Sequence, residues 1–322
     1  AYIDFPVPAT PLRLRGGLQG FATSKSIVID DDAPGLSLYG KLGQVDANFW
    51  WARGNQGVSI GTDGQFARDF YVIDLSLSPV KDLTLNGYLL YDHDSETLVG
   101  PAPGQTGTGT WVGLGAAGKV QNLRWDLDFV HGSKEITISG VKRDKKGYVV
   151  DGGVGAALPG TAFDLEGRFW YATGDKQDGG DNEGFPTPYV ASGDHNAKMQ
   201  IWGGGGAVDI DELADTPENT WGIGLIATWT ASPALKIRGN IHYIKTLEEG
   251  TVAGGGSPAG NGNISGVDSI GTEIGVQIDY TLYKGLVFTL IGAHLFIGDS
   301  LSIAGSTFDD ITKVAGVLNY GF

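Results

Sequence analysis

Apolar side chains recur at every second residue along most of this chain. Leu83, Leu85, Gly87, Leu89 and Tyr91 share one face, as do Leu123, Trp125, Leu127 and Phe129. The same holds for Phe163, Leu165, Gly167, Phe169 and Tyr171, and for Trp221, Ile223, Leu225, Ala227 and Trp229. Opposite faces carry Arg124, Asp126 and Asp128, then Asp164, Glu166 and Arg168, then Lys236, Arg238, Asn240 and His242. A period of two marks a strand with one apolar and one polar face. On this pattern strands are expected over 1–6, 11–23, 35–42, 44–54, 66–78, 82–94, 108–119, 122–132, 146–158, 161–174, 219–231, 234–248, 267–282, 285–298 and 309–322. Soluble sheets use strands of about 5–6 residues. Most of these reach the roughly 9–11 that a tilted membrane strand needs.

Short turns at 6–11, 42–44, 78–81, 120–122, 158–161, 232–234 and 283–285 alternate with long connections rich in Gly and acid. The long ones are 24–34, 54–66, 95–108, 132–146, 175–218, 248–266 and 298–308. Tight turns on one rim and long loops on the other are what an up-and-down barrel produces. Tyr91, Phe169, Tyr171, Trp221, Trp229, Tyr243, Tyr280 and Tyr320 lie near strand ends on the aliphatic face. There they would form two girdles at the membrane interfaces. The expected fold is therefore all-β: a transmembrane antiparallel up-and-down β-barrel forming a single domain over 1–322. About sixteen strands are expected, with fourteen and eighteen as the neighbouring even counts. Fifteen are placed above. That parity implies either one upward strand lost before Ala1 or one strand miscounted.

The last stretch, Phe308 to Phe322, repeats the pattern to its end. Phe322, Tyr320, Leu318, Gly316 and Val314 alternate with Gly321, Asn319, Val317 and Ala315. This resembles the C-terminal strand of Gram-negative outer-membrane β-barrels, in which a terminal Phe follows an aromatic at the third position from the end. The resemblance extends to general porins as an architecture. It implies a protein of the Gram-negative cell outer membrane, in contact with membrane lipid and lipopolysaccharide, packed as a homotrimer and passing small hydrophilic solutes and ions. Val112, Leu114 and Ala116, kept slim by Gly113 and Gly115, are the candidate face between subunits. Porins also fold a long loop into the barrel. Here the longest connection is 175–218, and it either folds inward or packs over the mouth or a neighbour. It comes fifth or later, whereas the usual inserted loop is third.

Composition changes the picture in three ways. Mean hydropathy is -0.05, and no stretch approaches the roughly 20 apolar residues of a membrane helix, but transmembrane barrels average to neutrality for the same reason they alternate. A net charge of -15 argues against a nucleic-acid partner. The absence of Cys removes disulfides, thiol catalysis and Cys-based metal sites together. No signal peptide is visible, so the chain reads as mature or trimmed.

Sixteen strands enclose an aqueous channel, so the candidate chemistry is the charge on its wall. Basic candidates are Arg13, Arg15, Lys41, Arg68, Arg124, Arg168, Lys236 and Arg238. Acidic candidates are Asp46, Asp74, Asp126, Asp128, Asp151, Asp164, Glu166, Glu273 and Asp279. Opposed walls of unlike charge would set up a transverse field at a constriction. The alternative is that these groups pair locally across strands. Acidic clusters mark the outer rim, and Asp175, Asp178, Asp181 and Glu183 are the weak candidate for a Ca²⁺ site, though without EF-hand spacing. A solvated acidic rim is the simpler reading, and no other cofactor is expected.

The remaining motifs lead nowhere. Gly113-Leu-Gly-Ala-Ala-Gly118 matches GxGxxG but no helix follows. Those glycines, like Gly152, Gly153 and Gly155, read instead as a smooth wall patch against a neighbouring subunit. The five histidines lack metal-ligand spacing. His131 near Ser133 and Ser139 is the only hint of a hydrolase, and no enzyme is expected. Two functions remain: a porin for passive diffusion of small hydrophilic solutes, or a substrate-specific outer-membrane channel or polysaccharide exporter. A structural sheath around another protein needs a wider lumen.

Overall fold

The structure, a computed structural model, describes residues 1–54, 68–97, 105–138, 141–176, 181–186, 199–202, 217–248, 250–253, 263–266, 269–298, 302–303, 306–307 and 309–321. Phe308, Phe322 and Asp178 lie outside these residues, as does most of 175–218.

Among the described residues nineteen strands run in chain order. They are β1 (Tyr2–Pro6), β2 (Leu12–Ala22), β3 (Asp30–Leu42), β4 (Val45–Gly54), β5 (Arg68–Val80), β6 (Leu83–Thr97), β7 (Gln105–Val120), β8 (Leu123–Ile138), β9 (Val141–Ala157) and β10 (Phe163–Ala172). Then follow β11 (Thr220–Ser232), β12 (Leu235–Thr246), β13 (Gly250–Ala253), β14 (Asn263–Gly266), β15 (Gly271–Tyr283), β16 (Leu286–Ile297), β17 (Ser302–Ile303), β18 (Ser306–Thr307) and β19 (Ile311–Tyr320). Fifteen of them form one sheet in the order β1 to β12, β15, β16, β19, each antiparallel to its neighbour wherever the register is described. Every expected strand is present. Contacts group the residues into two compact units, one built mainly from β1–β7 and the other mainly from β10–β19.

Six differences from expectation share one cause. β3 begins at Asp30, and β6, β7, β8 and β9 run well into stretches expected to be loop. In addition, β13, β14, β17 and β18 make a separate four-stranded sheet from the two connections after β12 and β16. Beyond the bilayer both faces of a strand are wet, so alternation is no longer required and the signal disappears. At the β8–β9 tip a cross-strand ion pair serves instead, with Lys142 Nζ 2.7 Å from Glu135 Oε1.

One face of the large sheet is an apolar surface left open. Ile223 and Leu225 at the middle of β11 are 55% and 53% exposed, and Leu89, Phe129, Ile241, Ile274 and Leu318 are exposed in the same way. A soluble domain does not leave so continuous an aliphatic surface in water. Rings bound the belt at two levels on β10 and β11: Phe163 stacks on Trp229 at 5.8 Å, and Tyr171 is the register partner of Trp221. From residue 163 to 171 the strand is about 27 Å long, which at the usual tilt rises about 20 Å, most of an apolar band about 25 Å tall. This is the lipid face. Gly113 and Gly115 do not slim it: a side chain at 113 would collide with the Tyr88 ring, and one at 115 with Asn86 and Asp128, all on the opposite face.

Leu225→Arg places a charge at mid-belt and is expected to lower stability by about 2–4 kcal/mol. Thr228→Arg on the other face of β11 is expected to lower it by under about 1 kcal/mol. Urea unfolding of the protein in lipid bilayers measures both.

Candidate functional site

The face opposite the lipid belt, here the lumen face, has two zones. Toward the rim of short turns it is polar and charged. Toward the rim of long connections it is apolar and buried: Phe21, Trp50, Phe70, Val72, Leu90, Val130 and Val149 in one unit, Trp170, Ile226, Ile244, Ile291 and Leu295 in the other. The upper lumen face is therefore apolar and covered, where polar and charged inward faces were expected, and among the described residues the cover comes from three segments.

In the first unit the turn after β2 folds in. Thr23 starts it, its hydroxyl accepting the amides of Val28 and Ile29, and Lys25 and Ser26 take positive φ angles of 51° and 56°. This buries Ile27, Val28 and Ile29 and sends Lys25 Nζ to within 2.8 Å of the Asp128 carboxylate. Ser24 donates to the same carboxylate and accepts from Asn86 at 2.7 Å. Residues 181–186 cover a second patch. Trp111 Nε1 donates to the Pro186 carbonyl at 2.7 Å, Phe185 is fully buried, and the Lys146 amide bonds the Asn182 carbonyl.

In the second unit the covering segment is 199–202. Met199 and Trp202 pack with Trp170, Ile244 and Ile270, and Ile201 packs with Ala293 and Leu295. Glu273, fully buried on β15, receives the backbone amides of Gln200, Ile201 and Trp202 at 2.6, 3.1 and 2.9 Å. Lys313 on β19 donates to the Gln200 carbonyl at 2.9 Å. Burying three large side chains contributes about 5–9 kcal/mol, and fixing four backbone residues costs about 4–8 kcal/mol. These nearly cancel, so the charge-assisted bonds to Glu273 decide whether the segment stays docked. The described stretches 181–186 and 199–202 of the 175–218 connection thus lie against the lumen face.

Nearer the short turns the charged residues pair along the wall. Arg124 on β8 reaches across β9 to Asp164 at 2.5 Å and Glu166 at 3.1 Å on β10. Arg168 on β10 returns across β9 to Asp126 at 3.3 Å, and also meets Asp151 at 2.5 Å and Glu166 at 3.2 Å. Two strands span about 10 Å, close to the full reach of an arginine. The guanidiniums can lie flat over β9 only because it carries Gly153 and Gly155 there. A Cβ at 155 would sit 2.6 Å from the Arg124 guanidinium carbon, and one at 153 would sit 2.9 Å from Arg168. Gly152 points to the other face, under Phe169. Gly153 and Gly155, lying under the arginines on the lumen side, are therefore not a smooth patch for a neighbour.

The remaining candidates fall as follows. Arg13 and Arg15 both bind Asp4, at 2.8 and 3.0 Å, and Tyr39 donates a short hydrogen bond to it. Lys41 and Asp46 face each other on β3 and β4, exposed and 3.7 Å apart. Arg238 donates to Gln277, Gln277 and Thr289 donate to Asp279, and Lys236 is in register with Asp279. Asp74 lies between Asn48 and Tyr88 in register. The Arg68 side chain lies outside the described residues. Asp128 and Glu273, expected on a wetted wall, are instead buried under folded-in chain. Among the described residues no three acidic or histidine side chains gather as a metal site. His131 is exposed on the same face of β8 as Phe129.

Sequence reasoning missed the buried apolar residues of the lumen face, although a signal exists. Phe49-Trp50-Trp51, Leu89-Leu90-Tyr91 and Phe169-Trp170-Tyr171 interrupt the alternation with unbroken apolar runs, which mark strands covered on both faces.

Three solved structures similar in fold come from Pseudomonas aeruginosa. OccK11 (OpdR) from Pseudomonas aeruginosa matches over 97% of this chain and 78% of its own, with a TM-score of 0.54 and 14% identity. The outer membrane protein opdK from Pseudomonas aeruginosa matches over 97% and 76%, with a TM-score of 0.54 and 13% identity. OccK8 (OprE), also from Pseudomonas aeruginosa, matches over 96% and 78%, with a TM-score of 0.52 and 12% identity. No family model matches the sequence, and no curated protein is recognisably similar to it. At these identities the likeness is one of fold, and the fold is that of the Gram-negative outer-membrane β-barrel porins.

Glu273→Gln keeps the size of the side chain but removes its charge and replaces one acceptor oxygen by a donor. Exchange of the Gln200–Trp202 amides is expected to accelerate by roughly tenfold or more, read by hydrogen–deuterium exchange. Gly155→Val leaves every charge in place but blocks the path of Arg124. It is expected to lower the urea midpoint by an amount equivalent to about 1–3 kcal/mol.

Proposed function

We propose that the chain is a channel of the Gram-negative outer membrane that passes small hydrophilic solutes through a narrowed, selective conduit. The fold and the exposed apolar belt support the membrane location. One observation carries the selectivity: Phe185, Met199, Ile201 and Trp202 of the longest connection, and Ile27, Val28 and Ile29 of the turn after β2, lie buried on the lumen face. A pore for general diffusion has no need of a dry, aromatic upper wall. Each covering segment is held by specific bonds, so the cover belongs to the resting conformation.

The paired wall beneath suits the same reading. Each guanidinium of the β8–β10 lattice is engaged by carboxylates, so it steadies the wall rather than offering a free charge to a passing anion. Among the described residues of that lattice, Asp126, Asp151, Asp164 and Glu166 outnumber Arg124 and Arg168. The local field therefore favours neutral and cationic solutes over anions. Lipid and lipopolysaccharide are the partners of the outer belt. Val112 and Leu114, both well exposed on β7, are the strip where copies of the chain would meet in a trimer.

Reconstitution in planar bilayers tests the proposal. Small current steps with cation preference, saturating or blocked by particular solutes, are expected. Large ohmic steps that never saturate would assign the protein to general diffusion instead.

A further inference from the structure

The first unit contains a cavity of about 400 Å³ along β2 to β5, reaching up to Ala22 at the start of the folded-in turn and bordered by Arg15, Gln19, Tyr39, Asn48, Trp50 and Asp74. Its polar groups are unequally occupied. Its charged and phenolic donors are already engaged, Arg15 on Asp4 and Tyr39 and the Tyr39 hydroxyl on Asp4, as is the Gln19 amide on the Gly35 carbonyl. Gln19 Oε1 in turn accepts from Ser37 at 2.9 Å.

Two of the acceptors are not engaged. Asp74 has no hydrogen bond or ion pair among the described residues, and Asn48 Oδ1 is buried without a partner. The two are direct register partners on β5 and β4, so their side chains stand side by side on one face. Register partners have Cβ atoms about 5 Å apart, close enough for one donor group to bridge them. Asn48 Oδ1 is a buried acceptor left empty, which is costly, and the half-buried Asp74 carboxylate stands beside it.

From this geometry we infer that the cavity is a binding subsite for the protonated amine of a small polar solute, held by Asp74 and Asn48. The inference rests on the channel reading and gives it a substrate class. An ammonium brings three donors and one positive charge, which two adjacent acceptors, one of them anionic, fit well. A hard divalent cation is a poorer match, because it takes six to eight oxygens and the pair supplies too few. An anion is disfavoured, since the arginine that could receive it is bound to Asp4. The volume leaves room beyond the ammonium for a body of about monosaccharide size.

The test compares glucosamine with glucose, which has the same ring without the amine, by calorimetric titration of the full chain in detergent. Glucosamine is expected to bind saturably and glucose at least roughly tenfold more weakly. Asp74→Asn is expected to weaken glucosamine by roughly tenfold or more, and Asn48→Leu by a smaller factor. Far-UV circular dichroism confirms that each variant is folded, and if one is not, the other decides. Equal affinity for the two sugars, unchanged binding in the folded variants, equal displacement by Ca²⁺ or K⁺, or no saturable binding would each overturn the assignment. Calorimetry needs no conduction, so a protein that binds glucosamine but passes no current would refute the channel reading and leave the subsite standing.

Discussion

Inside a bilayer no water is present to satisfy a backbone amide or carbonyl, and each one left bare costs several kcal/mol. That constraint organises the whole molecule. It demands an unbroken antiparallel ladder, and the chain supplies one through fifteen strands joined alternately by tight turns and long connections. Once the ladder exists, the pleat assigns every second residue to lipid and every other one to the lumen face. The exposed aliphatic belt, the two levels of rings and the charged wall are three consequences of that single alternation.

A wall built this way has a weakness at its centre, which the folded-in chain answers. The lumen face near the long connections carries tryptophans and branched aliphatics that water would solvate poorly. They are covered by 23–29, 181–186 and 199–202, short segments with little hydrophobic surplus of their own. What holds each of them is a polar anchor set among apolar neighbours: Thr23 and Asp128 with Lys25, Trp111 with the Pro186 carbonyl, and Glu273 with three successive amides. Apolar packing makes docking close to neutral. The hydrogen bonds then determine which segment docks and where.

The charged residues follow a different rule. Opposite walls of unlike sign were one way to arrange them, and pairing within one wall is what the molecule does. Removing a guanidinium from water next to a carboxylate two strands away requires a flat path across the strand between, and glycines at 153 and 155 clear it. The lattice ties β8, β9 and β10 together by side chains as well as by the ladder. Asp74 stands apart from this pattern as a carboxylate beside an unfilled amide oxygen, and the contrast with its paired neighbours makes it informative.

Much of the fold was legible in the sequence because a lipid boundary imposes a local code. Leu123, Trp125, Leu127 and Phe129 declare their face by spacing alone, with no knowledge of what lies across the sheet. The code stops where the boundary stops. Beyond the bilayer β13, β14, β17 and β18 form without alternation, and on the lumen side Trp50, Leu90 and Trp170 hide in apolar runs that both faces share. The partners of Glu273 lie more than seventy residues away, as do those of Trp111, and no local pattern brings them together. Sequence by itself determined the alternation, and with it the strands, the lipid face and the charged wall, since those depend on neighbours two positions apart. Only the tertiary structure decided which charges pair, which are buried and which segments fill the lumen face, since those depend on distances between residues the chain separates widely.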